Sequence, residues 1–273
     1  MIPGFKLNNG VEVPQIGLGT FLAKGADIEQ AVIDAIEVGY RSIDTAMYYF
    51  NEEDIGRGIK KCGLPREKLF ISTKLWNDSH GYDKTLRAFD ESLKRLGLEY
   101  VDQYLIHWPL VDETYVDSWR AFERLYKDGR VRSIGVSNFT KFNLQILFDR
   151  CSIKPMVDQI EYNPQFQPVD LAEFCRMNDI MIEAWRPVLH GKLQSMEAIM
   201  TLSEKYKKSP VQVTLRWLNQ KGIRTLPKSV HKERMIENAD IFDFELSQEE
   251  CAEIDKLNKW IRTGESPDEF MLM

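Results

Sequence analysis

The sequence predicts an α/β fold, a single (β/α)8 TIM barrel with an N-terminal β-hairpin closing the barrel floor. Eight short β-type runs alternate with amphipathic stretches along the chain. Their spacing is mostly the roughly 30 residues that a strand–helix–strand unit occupies. No Pro/Gly/Ser-rich linker, charge block or low-complexity segment divides the 273 residues. A barrel of this kind takes about 250 residues. Residues 1–273 are therefore read as one domain, with an irregular C-terminal tail from about residue 258.

The chain opens with two alternating runs, Phe5-Lys6-Leu7 and Val11-Glu12-Val13, around Asn8-Asn9-Gly10, which is a hairpin signal. Strand candidates follow at 15–18, 42–44, 69–74, 101–107, 131–137, 156–160, 180–185 and 223–226. Several are apolar at successive positions, as expected of strands covered on both faces. Between them Ile28, Ala31, Val32, Ala35 and Ile36 recur at the spacing of a helix with one buried face. Leu86, Phe89, Leu93 and Leu96 repeat that pattern, as do Tyr115, Trp119, Phe122 and Tyr126. An open doubly wound sheet is the competing architecture, but such a sheet usually carries a Gly-x-Gly-x-x-Gly turn after its first strand. Here Gly17-Leu18-Gly19 is followed by Thr20-Phe21-Leu22, without the third glycine.

The formal charge of −6 argues against a nucleic-acid or anionic-membrane surface, because both need a basic face. No apolar stretch is long enough to span a bilayer. Cys62, Cys151, Cys175 and Cys251 form no Cys-x-x-Cys pair and read as reduced thiols. A cytoplasmic protein is expected by elimination.

Chemistry gathers where the runs end. Asp44 closes the second, Tyr49 lies just beyond it, Lys74 closes the third and His107 the fourth. In a barrel these C-terminal strand ends share one face. A free tyrosine, with a pKa of about 10, is a weak proton donor at neutral pH. A nearby lysine ammonium would lower that value, and a buried Asp44 would keep Lys74 charged. His107 could add a second donor to a carbonyl oxygen. Singly, each residue has a plain structural alternative: an ion pair, a core histidine, a wall tyrosine. Four together suit carbonyl reduction, in which hydride reaches carbon and the phenol protonates oxygen.

The segments Asp44-Thr45-Ala46-x-x-Tyr49-x-Asn51-Glu52, Lys74-Leu75-Trp76, His107-Trp108-Pro109, Gly135-Val136-Ser137-Asn138-Phe139 and Pro227-Lys228-Ser229 resemble those of the aldo-keto reductases, in particular short-loop prokaryotic members. The likeness runs from the hairpin to about Asp255. It implies a (β/α)8 barrel, NADPH (NADP+) as cofactor, no metal, and Asp44, Tyr49, Lys74 and His107 as a catalytic tetrad. Tyr49 rather than Tyr48 matches the family's acid, because it stands two residues before Asn51-Glu52.

The resemblance also implies a cofactor groove. Lys228, Ser229 and Arg234 match positions that take the adenosine 2′-phosphate, and Glu237 and Asn238 match those that hold the adenine. A strand end followed by a helix start suits an anion; a solvated charged face is the plain alternative. Ser137, Asn138 and Gln159 match residues that hold the nicotinamide carboxamide, and Trp185 an aromatic on which its ring stacks. Gly19 and Thr20, at the end of the first strand, complete the expected cofactor set. Three departures stand out. Asp158 replaces the family's usual Asn and cannot donate a hydrogen bond, which weakens the expected grip on the carboxamide. Arg186 replaces a small residue and is expected to reach the pyrophosphate. His231 stands where relatives often carry arginine, so NADH is expected as a less preferred alternative.

Phe21, Trp76 and Trp108, with Tyr49 and His107, would line the substrate mouth. An aromatic wall favours small or apolar aldehydes and ketones. The short segment from Val111 to Thr114 suggests an open pocket. The tail from Trp260 to Met273 ends apolar; in the family such a tail helps set substrate choice, and a terminus without a role is the alternative. Two other readings compete with this one. A metal-dependent barrel hydrolase would want a His-x-His pair, whereas His80, His107, His190 and His231 are far apart. An NADPH-binding redox sensor without turnover would not need a complete tetrad. The expectation is a monomeric NADPH-dependent reductase of small carbonyl compounds.

Overall fold

The computed structural model describes residues 2–110 and 113–267. Strands β1 (Gly4–Lys6) and β2 (Glu12–Pro14) form the antiparallel hairpin, with Phe5 opposite Val13. The barrel strands are β3 (Leu18–Gly19), β4 (Ser42–Asp44), β5 (Phe70–Leu75), β6 (Val101–Ile106), β7 (Val131–Ser137), β8 (Val157–Glu161), β9 (Met181–Trp185) and β10 (Arg224–Thr225). Each pairs in parallel with the next. Parallel bridges Ile16–Thr225 and Gly19–Lys228 join the last strand to the first and close the ring.

The first strand falls later and is shorter than the predicted 15–18, and the last lies within the predicted 223–226 but is shorter. At this seam the pairing is a series of single bridges and bonds, such as Gly17 N to Thr225 O at 3.0 Å and Gly19 N to Pro227 O at 3.1 Å, rather than an unbroken ladder. The hairpin lies across the floor as expected. Asn8 Nδ2 donates to Asp179 O (3.1 Å) and Pro155 O (3.4 Å), and Asn9 Nδ2 to Arg132 O (2.9 Å), all at the N-terminal ends of barrel strands.

Ten α-helices occur among the described residues: α1 (Gly25–Val38), α2 (Glu52–Lys61), α3 (Tyr82–Leu96), α4 (Tyr115–Lys127), α5 (Lys141–Phe148), α6 (Val169–Met177), α7 (Glu197–Tyr206), α8 (Pro210–Gln220), α9 (Lys232–Ala239) and α10 (Gln248–Asp255). In α1 the buried stripe is the predicted one, Ile28, Ala31, Val32, Ala35 and Ile36. Gly39 ends that helix at φ 116°, a left-handed conformation costly for other residues. Helix α8 begins with a reciprocal Ser209–Gln212 capping box and Pro210 in its first turn, satisfying donors that a helix start leaves unpaired. The helices pack against the outer face of the strands, and strands β4, β5, β6 and β8 are buried at every residue.

Candidate functional site

At the C-terminal mouth the structure brings Asp44, Tyr49, Lys74 and His107 together. Asp44 ends β4, Lys74 lies one residue before the end of β5, and His107 directly follows β6. Lys74 Nζ donates to Asp44 Oδ2 at 2.6 Å and to Thr45 O at 2.9 Å. The same ammonium lies 5.1 Å from the centre of the Tyr49 ring. The Tyr49 and His107 rings meet edge-on, with centroids 5.6 Å apart.

Tyr49 is delivered by a 3-10 turn, Met47–Tyr49, followed by Phe50 at φ 54°. Asn51 ties that turn to its surroundings. It accepts from Thr45 Oγ1 (2.6 Å) and donates to Thr20 O (3.0 Å) and Ala23 O (2.9 Å). Buried Glu52 accepts from Thr73 Oγ1 (2.6 Å) and Arg95 Nε (2.7 Å). The Asn-Glu pair that marks the motif is thus a double brace, fixing the tyrosine turn to strand β5 and helix α3.

Electrostatically the site differs from the expectation in one respect. Burial raises the Tyr49 phenol above its ordinary value; Lys74 pulls the other way but does not reverse it. The side chain is half-buried overall, and the enclosure acts at its hydroxyl end. The expected net lowering by Lys74 is therefore not what the folded chain has, because desolvation penalises phenolate more than the ammonium rewards it. Burial raises Asp44, opposed chiefly by Lys74. For Lys74 burial pulls downward, yet the charges of Asp44 and Tyr49 prevail and its value is raised. His107 is pushed well below the usual imidazole range, first by burial and then by Lys74. It is neutral at neutral pH.

The residues matched to the carboxamide also converge. Ser137 Oγ donates to Gln159 O (2.7 Å), and Asn138 Nδ2 to His107 O (3.0 Å) and Ser137 Oγ (3.2 Å). Gln159 Nε2 donates to Asp44 Oδ1 (2.9 Å) and Glu183 Oε2 (3.0 Å). Trp185 Nε1 donates to Asn138 Oδ1 at 3.0 Å. Gly19 is set by its bond to Pro227 O, and Thr20 Oγ1 donates to Asp44 O at 2.8 Å.

Two departures resolve differently from their sequence reading. Asp158 pairs in register with Val136 and Ile182. Side chains alternate along a strand, so while Gln159 points into the barrel, Asp158 turns outward. Neither of its oxygens pairs with another side chain, and the residue takes no part in the carboxamide cluster. Arg186, at φ 50°, points its guanidinium back over Trp185 (5.4 Å to the ring centre) and donates from Nη1 to Thr263 O.

That last contact belongs to a clasp which sequence reading missed. The buried carboxylate of Glu161 accepts from Thr263 N (2.7 Å), Thr263 Oγ1 (2.6 Å) and Gly264 N (3.2 Å). Gly264 lies so close to the indole that a Cβ there would collide with Cη2 of Trp185 and stand 2.8 Å from Cζ3. The tail is therefore strapped onto the ring matched to nicotinamide stacking. Its apolar end, Phe270 to Met273, lies outside the described residues, as do Val111 and Asp112 of the segment read as an open rim.

Around the mouth Phe21 packs on Tyr49 (centroids 5.0 Å) and Trp76 on His107 (5.1 Å). Trp108 is buried behind His107, with ring centroids 6.5 Å apart. Tyr48 stacks on Trp76 at 3.7 Å, joining the wall that sequence assigned to other aromatics. At the exit of β10, Ser229 is buried and its Oγ accepts from His231 N at 3.0 Å. Lys228 and Arg234 are exposed, Glu237 is half-buried and Asn238 buried. Helix α9 begins directly after His231.

The aldo/keto reductase family model matches residues 15–259. The chain belongs to the aldo/keto reductase family. Glyoxal reductase of Bacillus subtilis is 52% identical over 267 residues, covering 97% of this chain and 96% of that one. An aldo-keto reductase from a Medee basin deep-sea metagenome has the same fold, with a TM-score of 0.95 at 44% identity over 97% of this chain and 98% of its own. The Bombyx mori aldo-keto reductase, solved in complex with NADP, superposes with a TM-score of 0.91 at 38% identity, covering 98% and 96% of the two chains. For an aldo/keto reductase the mouth described here is the expected location of the active site.

Proposed function

We propose that this chain is an NADPH-dependent reductase of small aldehydes and ketones, with Tyr49 as general acid. The observation that carries the reading is the buried Asp44–Lys74 pair set against the Tyr49 ring and beside a neutral His107. NADPH, when bound, supplies the hydride. The residues present suit that cofactor. Lys228 and Arg234 are exposed cations without a carboxylate partner among the described residues, at a helix start that favours a phosphate. Ser137, Asn138 and Gln159 form an amide-rich cluster, and Trp185 presents an indole beside it. Gly19, Thr20, Glu237 and Asn238 complete the groove.

The chain's own part is proton transfer and orientation. His107 Nδ1 is sealed and unpartnered. The cheaper neutral tautomer carries its proton on Nε2, which makes that N–H the donor toward a carbonyl oxygen. Tyr49 keeps its proton through neutral pH and releases it to the same oxygen. Lys74 then stabilises the phenolate, and Asp44 keeps Lys74 charged. Phe21, Trp76 and Trp108 exclude water and select apolar or small substrates; dicarbonyls of the glyoxal type fit that wall. NADH is read as an accepted but less preferred donor: Lys228 and Arg234 favour the 2′-phosphate, and His231, in place of a longer cation before α9, loosens that preference.

We read the chain as one barrel domain with an irregular tail, acting as a cytoplasmic monomer. The four free cysteines support a reducing compartment, and among the described residues no helix is long and apolar enough to cross a membrane. Size-exclusion chromatography with light scattering tests the monomer. The function is tested by following NADPH absorbance with methylglyoxal, aromatic aldehydes and keto-sugars. Oxidation of NADPH that Tyr49→Phe abolishes is expected. Tight nucleotide binding without turnover of any carbonyl would instead favour a sensor.

A further inference from the structure

The interior of this barrel is unusually charged. TIM-barrel cores are dominated by branched aliphatic side chains, yet Glu183 and Arg224 face each other here with both side chains at 0% exposure. Arg224 Nη1 donates to Glu183 Oε1, Nη2 to Ser42 Oγ, and Nε to Pro14 O at 2.9 Å. Glu183 Oε1 also accepts from Gln103 Nε2 at 3.1 Å. The guanidinium has a built recess. At Gly17 a Cβ would stand 2.9 Å from Arg224 Nη2 and 3.1 Å from Ser42 Oγ, so a glycine is what leaves room for it.

The other oxygen of Glu183 leads to the site. Gln159 Nε2 lies between two carboxylates, 3.0 Å from Glu183 Oε2 and 2.9 Å from Asp44 Oδ1. Carboxylate oxygens only accept, so the NH2 end of the amide must face them and both of its hydrogens are used. An amide facing Asp44 alone would keep one hydrogen free for another acceptor. We propose that Glu183, anchored by Arg224, is a positioning residue that locks the Gln159 amide, leaving Oε1 as its only free hydrogen-bonding atom. Gln159 then acts toward a ligand purely as an acceptor. It selects a group that brings an N–H, such as the NH2 of a nicotinamide carboxamide, and discriminates against a carboxylate in its place.

This inference rests on the reading that a dihydronicotinamide binds at the mouth, and the experiment separates the two. Dissociation constants for NADPH and for adenosine 2′,5′-bisphosphate, which carries the phosphate but no nicotinamide, are measured by calorimetry. The proteins are wild type, E183M/R224M and E183D. The double variant removes both charges at similar volume, an exchange that buried pairs often tolerate. E183D keeps the charge opposite Arg224 and withdraws the carboxylate by one methylene, so it remains informative if the double variant does not fold. The expected result is NADPH binding weakened tenfold or more in the double variant and severalfold in E183D, with the bisphosphate unchanged. Unchanged NADPH affinity, or equal weakening of both ligands, would overturn the role of Glu183. A wild-type protein that binds neither ligand would instead sink the cofactor reading.

Discussion

Lys74 Nζ stands 2.6 Å from Asp44 Oδ2 with the two side chains 0% and 5% exposed, so neither charge is hydrated in place of the other. Removing one member leaves its partner buried and uncompensated, at a cost of about 3–5 kcal/mol. Asp44→Leu alone and Lys74→Met alone are each expected to lose about that much stability. The double variant should recover most of it while showing no carbonyl reduction. Urea denaturation of the four proteins measures the coupling. Additive losses would mean that the pair is not the electrostatic unit described.

A second expectation concerns pH. Burial raises the Tyr49 phenol, so the protonated acid persists through neutral pH and is lost only as pH rises past the ordinary phenol value of about 10. His107 is held neutral, well below the usual imidazole range. The kcat/KM for reduction should therefore be flat across neutral pH, with no inflection near about 6.5, and fall only on the alkaline side. Tyr49→Phe should lower kcat by about 10²–10⁴, the usual span of general acid catalysis. A neutral-pH inflection that disappears in His107→Gln would show the imidazole titrating after all.

The tail clasp makes a third. At Gly264 any Cβ collides with the Trp185 indole, so Gly264→Val must lift the strap although Glu161 still offers its carboxylate. The expected outcome is a shift in tryptophan emission in the absence of nucleotide and a changed KM for carbonyl, with fold stability altered by under about 1 kcal/mol, as for a surface change away from the core. Glu161→Gln weakens the same clasp from the other side and should move the spectrum in the same direction. Spectra identical to wild type in both variants would mean that the strap does not hold the indole.

Much of this was legible in the residues because the barrel imposes two periods that sequence can carry. The stripe of α1 and the apolar runs of β5, β6 and β7 are stated locally, and so are the polar groups at their ends. What stayed hidden depends on partners far along the chain. Arg224 reads as an oddity in Ile223-Arg224-Thr225 until Gly17, some two hundred residues earlier, is seen to make room for it. Glu183 likewise interrupts an apolar run without announcing Gln159 as its neighbour. Glu161 could be found only as a charge at the end of a buried strand; nothing local names residues 263 and 264 as its donors. The first strand lies later than its apolar run, and the last is shorter than its run, for a related reason, since isolated bridges leave a weaker pattern than a ladder. The direction of the Tyr49 shift depended on how deeply its hydroxyl is enclosed, which spacing does not encode.

The outward-facing Asp158 supplies the last expectation. Its carboxyl is buried, pairs with no other side chain, and is driven by burial well above the ordinary carboxylate range, with the Phe139 backbone amide opposing less strongly. It lies near the buried Cys175 thiol, which burial raises first and Asp158 second. The folded state therefore keeps a proton that the unfolded chain releases above about pH 4. The stability this gives is complete below the unfolded value and is lost as pH rises toward the folded one. Asp158→Asn has no such proton to lose. Thermal melts of both proteins between pH 4 and 8 should run close together at the acid end and diverge upward, with the variant increasingly the more stable. Parallel curves would mean that the carboxyl ionises as readily inside the barrel wall as it does in water.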